Sequence, residues 1–161
     1  MKRVNFMSKN GHGKKQPHSP HQTQWAAQFA VASELCKRGY QVALTMGNHP
    51  VIDLMVVSPK GTHFIVDVKG LHKGPNFWRM REKEEKQQLF YVFALVPSDT
   101  DKPNQFFVLT QRQANEGIRT DWKEAVARRK AKGRSGDPAD VTGVTWKYAE
   151  QHNGDWKALP E

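Results

Sequence analysis

The chain has 161 residues, a hydrophobic share of 37% and a formal net charge of +9 at pH 7. That length suits one domain with a buried core, and the positive charge favours a polyanion partner, with nucleic acid ahead of a membrane surface. A single cysteine, Cys36, excludes an internal disulfide, and no apolar run reaches the roughly 20 residues that a membrane span requires.

Residues 1–20 are predicted to form a disordered basic arm, because they carry five lysine or arginine residues, no acidic residue and several glycines and prolines. The arm either contacts phosphates or is a solvated tail. It lacks the apolar segment of a secretory signal, so we expect a cytoplasmic protein.

The next segment, from Gln22 to Arg38, is predicted to be a helix, since apolar residues recur at steps of three and four and Gly39 follows as a stop. The predicted apolar stripe of this helix consists of Trp25, Phe29, Ala32 and Cys36, with Leu35 beside it, and Cys36 is expected to be a small core residue. A short strand, YQVAL, and the loop TMGNHP come next.

Residues 51–70 are predicted to form a hairpin around the turn SPKGT. With the turn centred on Lys60, Met55 faces Ile65 and Asp53 faces Asp67. Because side chains alternate between the two faces of a strand, Asp53, Asp67 and Lys69 share one face at the open end of the hairpin. A slip of one residue in the register would destroy this arrangement. Both faces of the hairpin are expected to be largely buried.

Two ionised carboxylates at roughly 4.5–5.5 Å repel each other, so one takes a proton or a cation lies between them. Mg²⁺ prefers oxygen ligands and is held by one or two carboxylates with water and phosphate. The backbone carbonyl of Val68 is a further candidate ligand. The structural alternative is a buried ion pair of Asp67 with Lys69, with Asp53 at a strand start.

The second half of the chain supplies the rest of the predicted sheet. Residues 79–88 read as a short polar helix or an exposed turn, with Lys83 and Lys86 on a solvated face. The run LFYVFALV at 89–96 predicts a strand buried on both faces, and QFFVLT predicts another strand. Thr110 is a candidate helix cap, and a second basic helical stretch is expected over Asp121–Arg134.

The helix, the strand opening with Asp53 and the strand ending in Asp67-Val68-Lys69 together resemble the PD-(D/E)xK nuclease superfamily. The lead-in AVASELCKRGYQVAL…GNHPVIDLMVV resembles that of small Holliday-junction-resolvase-like proteins. The resemblance covers roughly residues 24–110. It implies a restriction-endonuclease-like α-β-β-β-α-β core of the α/β class, with a mixed sheet flanked by helices.

The resemblance also implies catalytic roles. Asp53 and Asp67 would ligate Mg²⁺ or Mn²⁺, and Lys69 would steer the attacking water and stabilise charge during hydrolysis of a phosphodiester bond. Relatives often carry a glutamate where Gln28 stands; an amide oxygen can ligate an ion or orient water, but it brings no charge. Glu34 is expected to point elsewhere, because it lies about 120° around the helix from Gln28. Ile52 stands where the superfamily name has proline.

Positive side chains outside this cluster are predicted to contact the phosphates of nucleic acid. Trp78 either stacks on a base or closes the core beneath its loop. The predicted phosphate contacts are Lys73, Arg79, Arg128, Arg129, Lys130, Lys132 and Arg134.

The predicted domain organisation is a basic arm over residues 1–20, a nuclease-like core over 21–118 and a basic helical extension over 119–161. The expected function is that of a metal-dependent endonuclease acting on nucleic acid, DNA rather than RNA, with a homodimer left open. The alternatives are a nucleic-acid-binding module on the same fold that has lost cleavage, and an RNA-cleaving protein.

Overall fold

The computed structural model describes residues 19–45, 52–74, 77–136, 138 and 142–161. The predicted basic arm therefore lies outside the described residues except for its last two, Ser19 and Pro20. Ser19 caps the first helix: its hydroxyl accepts a hydrogen bond from the backbone N–H of Gln22, and the Gln22 side chain accepts one from the backbone N–H of Ser19.

Five strands form a mixed sheet in the order β1-β2-β3-β5-β6, and β4 pairs with β7 in a separate ribbon. Only β3 and β5 run parallel within the sheet. In chain order the elements are α1 (Pro20–Lys37), β1 (Gln41–Leu44), β2 (Leu54–Val57), β3 (His63–Leu71), β4 (Phe77–Arg79), β5 (Leu89–Leu95), β6 (Gln105–Thr110), α2 (Gln111–Ala131), β7 (Gly143–Thr145), α3 (Trp146–Ala149) and two short 3₁₀ turns, Glu150–His152 and Trp156–Ala158.

The predicted α/β class, with a mixed sheet flanked by helices, is confirmed. α1 packs on one face of the sheet, and α2 packs on the other, over β5 and β6. The described part of the connection from β3 to β5 contains β4 and an irregular segment over 80–88, where the predicted core order has a helix. Its sequence REKEEKQQ carries no apolar stripe, so a helix there would have nothing to bury.

The predicted register of the hairpin is confirmed, since Met55 pairs with Ile65 and Val57 pairs with His63. Gly61 makes the turn possible by adopting a φ of 86°, which lies in the left-handed region that favours glycine. The expectation that both faces of the hairpin are buried is wrong for the face that carries Met55. Met55 is 55% exposed, because α2 covers the sheet at β5 and β6 rather than at the hairpin.

The buried face of α1 also differs from the prediction. Ala27, Val31 and Leu35 are fully buried, whereas Phe29 is 54% exposed and Cys36 is exposed. The physical reason is the close approach of α1 to β3. A Cβ atom added at Gly70 would come within 2.8 Å of the Ala27 Cβ, so the interface has room for small side chains and none for the aromatic ones. Trp25 and Phe29 stack on each other at the outer side of the helix, with centroids 5.5 Å apart.

The strand predicted at 89–96 is confirmed as β5, whose residues are buried up to the last one. The domain boundary predicted at residue 118 falls inside the continuous helix α2, which Thr110 caps as expected. Residues after that boundary contribute to the same core: Val144 and Ala149 are fully buried, and Leu159 is 3% exposed. Among the described residues, the helices are too short or too polar to cross a bilayer.

Candidate active site

The margin of the sheet beside β2 is where the predicted site lies. β2 pairs with β3 only as far as Val66, whereas β3 continues to Leu71. Side chains satisfy the backbone groups that β2 leaves open. The Gln24 amide donates to the Val68 carbonyl at 2.8 Å and accepts from the Gly70 N–H at 3.3 Å. Asp53 Oδ2 accepts from the Val68 N–H at 2.7 Å.

Asp53 is surrounded by donors from α1 as well as from β3. The Gln28 side-chain amide donates to its Oδ1 at 2.5 Å, and the Gln24 amide lies 3.4 Å from its Oδ2. Burial raises the pKa of Asp53 above its usual value, and the negative charge of Asp67 adds to the rise, while the Val68 N–H and the Lys69 ammonium oppose it. The charge of Asp67 therefore acts on the carboxyl of Asp53.

The placement of Gln28 against the aspartate agrees with the sequence argument that it, and not Glu34, faces this cluster. Glu34 lies at the far end of α1 and pairs with Lys37 at 2.8 Å and with Arg38 at 2.5 Å. Both partners lower the pKa of the Glu34 carboxyl. This glutamate therefore belongs to the surface of the helix end.

Asp67 lies deeper than Asp53, with only 2% of its surface exposed. Its Oδ1 is 2.5 Å from the Lys69 ammonium, and its Oδ2 is 4.0 Å from the ammonium of Lys83. Tyr91 is its register partner on β5. Burial, assisted by the charge of Asp67, raises the pKa of Tyr91 to about 12, so its hydroxyl keeps its proton. Among the described residues that hydroxyl has no hydrogen-bond partner.

The donor set at this margin fits a hard divalent cation. It consists of the carboxylates of Asp53 and Asp67, the carbonyl of Val68, which already accepts from Gln24, and the amide of Gln28. All four offer oxygen, which Mg²⁺ and Mn²⁺ prefer. Within the described ranges, no cluster of three or more His, Cys, Asp or Glu residues could hold a metal. An ion here would accordingly keep several waters.

The alternative to a metal site, in which these residues only stabilise the fold, is compatible with the same contacts. Asp67 and Lys69 form an ion pair, and Asp53 stands at a bend just before β2 with its oxygens hydrogen-bonded. Burial is the first cause of the raised pKa of Asp53, and a buried carboxyl relieves that cost by keeping a proton or by contacting a cation.

A cleft beside Lys69 connects the margin to β4. Its lining includes Gln24, Gly70, Phe77 and Arg79. Arg79, predicted to contact phosphate, is exposed and lies with its guanidinium carbon 5.8 Å from the centre of the Phe77 ring. A strand of nucleic acid that reaches Lys69 along this cleft would pass the Arg79 side chain.

Trp78 lies at the floor of this cleft, but its ring is buried in the core and leaves no free face for base stacking. It is 2% exposed and stacks on Phe93 at 5.0 Å and on Trp146 at 5.7 Å. Lys73, another predicted phosphate contact, lines a different groove, which it shares with Trp146 and Lys102. The structure therefore brings Arg79, but not Lys73, to the cleft beside Lys69.

At the C-terminal end of α2, some basic side chains form ion pairs or hydrogen bonds, and others are exposed to solvent. Arg128 pairs with Asp121 at 3.7 Å and Glu124 at 3.3 Å. Arg129 donates to the backbone carbonyls of Ser135 and Gly136 at 3.1 and 3.2 Å. The exposed cations that remain at this end are Lys130, Lys132 and Arg134.

Sequence reasoning missed Gln24, Tyr91 and Lys83. The sequence could have indicated Gln24, because it precedes Gln28 by one helical turn and lies on the same face of the helix. Tyr91 is a register partner of Asp67 across a parallel pair, which requires knowing the strand order. Lys83 lies in an irregular segment, where no periodicity indicates a direction.

No protein-family model matches the chain, and no curated protein matches it. Among solved structures the chain is similar to a bacterial homing endonuclease, I-Ssp6803I, with 16% sequence identity over 88% of this chain and 91% of that chain, and a TM-score of 0.49. A likeness at that level leaves the function to be argued from the site itself.

Proposed function

We propose that this protein is a metal-dependent phosphodiesterase that cleaves nucleic acid, with DNA as its substrate, and that it belongs to the PD-(D/E)xK nucleases. One observation supports the proposal most strongly. The ammonium of Lys69 lies 2.5 Å from the buried carboxylate of Asp67, and the charge of Asp67 adds to the burial that raises the pKa of the half-buried Asp53 at the margin of β2. The net charge of +9 suits a polyanionic substrate.

The residues divide the chemistry among them. Asp53, Asp67 and the Val68 carbonyl would hold a divalent ion, which would supply an acidified water and stabilise charge on the phosphate. Gln28 fixes the Asp53 carboxylate by donating to its Oδ1. Lys69, at the same margin, would orient the attacking water and face the phosphate. Arg79 directs the strand along the cleft.

A cleavage panel tests the proposal. Duplex, single-stranded and branched DNA and an RNA of the same sequence are incubated with Mg²⁺, Mn²⁺ or EDTA, and the products are separated on gels. We expect DNA cleavage that requires the metal and that falls at least about 100-fold in Asp67→Ala and Lys69→Ala, since each removes a group that acts in the transition state. Asp99→Asn, at an exposed loop carboxylate paired with Lys102, is the matched control.

Equal cleavage in EDTA and Mg²⁺, or full activity in Asp67→Ala, would contradict the proposal. Cleavage of RNA alone would support the proposed metal-dependent hydrolysis but would show that the substrate is RNA and not DNA.

A second candidate is a nucleic-acid-binding module that has lost cleavage. The observation that favours it is the amide of Gln28, which donates to Asp53 where relatives often carry a carboxylate. DNA binding that is the same in EDTA and Mg²⁺, with no cleavage of any substrate in the panel, would decide for this module. Binding that tightens with Mg²⁺ would decide against it.

A further inference from the structure

The irregular segment 80–88 is held by two buried amides of α2. Gln111 and Asn115 are each 2% exposed. Gln111 accepts from the Lys86 N–H at 2.8 Å and donates to the Glu84 carbonyl at 2.6 Å. Asn115 accepts from the Lys83 N–H at 3.3 Å and donates to the Lys83 carbonyl at 2.7 Å. Buried amides are costly unless they are bonded, and here they are bonded to the segment's backbone.

The outer side of the segment is tied to the same helix by ion pairs. Arg119 meets Glu82 at 2.7 Å, and Arg112 meets Glu85 at 3.2 Å. Exposed ion pairs of this kind contribute only about 0–1 kcal/mol each, so the buried amides define the backbone position and the ion pairs add to it. A segment without regular structure thereby acquires a fixed path between β4 and β5.

Asn115 holds both the N–H and the carbonyl of one residue, Lys83. Its ammonium lies 4.0 Å from Asp67 Oδ2, on the carboxylate whose Oδ1 is 2.5 Å from the Lys69 ammonium. Two ammonium groups therefore face one buried carboxylate. The Lys83 side chain is 40% exposed, so it reaches the site from solvent.

An ion pair with Asp67 needs only one ammonium group, and Lys69 already lies at contact distance. With Asp53 counted, two ammonium groups and two carboxylates balance at this margin. A divalent ion held by the two carboxylates would leave both ammonium groups as excess positive charge, while Asn115 would still hold the backbone of Lys83. A phosphodiester oxygen is the anion that this charge fits.

We propose that Lys83 is a second substrate-contacting cation of the site, which binds a non-bridging phosphate oxygen, and that Asn115 is its positioning residue. This inference rests on the proposed function, because it supposes that nucleic acid occupies the margin beside Asp67.

The test compares Lys83→Gln with Lys86→Gln, a matched control that removes the same charge from an exposed side chain in the same segment. DNA binding is measured by fluorescence anisotropy in Ca²⁺ over a range of salt, and cleavage is measured in Mg²⁺. We expect Lys83→Gln to weaken binding 3- to 10-fold and to lower the salt slope by about 1, as for one lost phosphate contact. Lys86→Gln should remain within about twofold of wild type, as expected for a solvated cation.

Two further variants separate charge from position. Lys83→Arg keeps the charge and should keep most of the binding, whereas Asn115→Ala keeps Lys83 but releases its backbone and should lower cleavage more than binding. Indistinguishable binding and cleavage in Lys83→Gln and Lys86→Gln would overturn the inference, as would a wild-type protein that binds no DNA. If the wild type binds DNA and never cuts it, the binding comparison still decides the role of Lys83, and only the proposed hydrolysis fails.

Discussion

At the scale of single residues, Asp53 is a carboxylate whose side-chain neighbours on α1 are the amides of Gln24 and Gln28. Gln28 donates to it at 2.5 Å, and burial already raises its pKa. The pKa of a carboxyl in this position rises further when a negative charge is added nearby, and falls when a cation binds beside it.

Gln28→Glu tests that sensitivity. Without metal, the new carboxylate replaces a donor with an acceptor beside Asp53, so we expect the free energy of unfolding in EDTA at pH 7 to fall by about 1–3 kcal/mol. With Mn²⁺ the same carboxylate becomes a ligand, and the loss should be recovered in proportion to the metal concentration. Thermal melts across a metal titration measure both effects.

Gln87→Glu is the control for that experiment, because it adds the same charge at an exposed position in the segment before β5. If Gln28→Glu were as stable as wild type in EDTA, or if Mn²⁺ stabilised both variants equally, the placement of Gln28 against Asp53 would be contradicted.

The register of the hairpin was accessible from the sequence, since a clear turn sets it and Met55 pairs with Ile65 as predicted. That Asp53, Asp67 and Lys69 form one site remains a prediction. Their catalytic roles remain predictions. Gln24 and Lys83 were not accessible, because their directions depend on how closely α1 approaches β3 and on the amides that hold an irregular segment. Neither contact follows from local periodicity.

At the scale of elements, the contact of α1 with β3 sets the position of both glutamines. Gly70 permits that contact: a Cβ there would come within 2.8 Å of the Ala27 Cβ and 3.0 Å of the Thr23 carbonyl oxygen. The prediction that Trp25 and Phe29 face the core failed for this reason, since helical spacing alone does not reveal which side of a helix meets a glycine.

Gly70→Ala is therefore expected to lower the free energy of unfolding by about 1–3 kcal/mol, as overpacking does. It should also reduce cleavage, because it moves Gln24 away from the backbone of β3. Chemical denaturation measures the first effect. In a double-mutant cycle, Ala27→Gly should restore part of the loss, since it removes one of the two atoms that clash. Additive losses in the double variant would show that α1 does not press on Gly70.

The pairing of α3 with α2 gives a prediction about pH. Tyr148 packs against Gly117, and burial, with the charge of Glu116 adding to it, raises the pKa of Tyr148 to about 12. Tyr91 is raised to about 12 and Tyr40 is raised as well, so each of the three tyrosines in the chain is affected.

The unfolded chain releases tyrosine protons near pH 10, whereas in the folded chain Tyr91 and Tyr148 retain theirs until about pH 12. The folded state therefore binds more protons in this window, and its stability is expected to fall as pH rises from 10 to 12. Absorbance at about 295 nm should show little tyrosinate at pH 10 in the folded protein and about half ionisation in urea. Tyr148→Phe should make the fall less steep. Ionisation of all three phenols near pH 10 in the folded protein would contradict these shifts.

At the scale of the whole molecule, the net charge of +9 is distributed unevenly. The acids of the segment before β5 pair with α2, while the end of that helix leaves Lys130, Lys132 and Arg134 exposed. An open basic end of this kind is suited to phosphates of a duplex outside the site.

Replacing Lys130, Lys132 and Arg134 by Gln should weaken DNA binding and reduce the slope of log affinity against log salt by about 2–3. The matched control replaces Lys37, Lys60 and Lys102, which are each engaged by an acid, and removes the same charge. We expect a smaller change in slope for the control. Equal slopes for the two triple variants would mean that net charge alone drives binding.

The central claim is that Asp53 and Asp67 share one divalent cation, and electron paramagnetic resonance of bound Mn²⁺ tests it most directly. We expect one tightly bound Mn²⁺ per chain in the wild type, lost in Asp53→Asn and equally in Asp67→Asn, and retained in Asp99→Asn. Binding that survives in both site variants, or that is lost in only one of them, would contradict a shared ion.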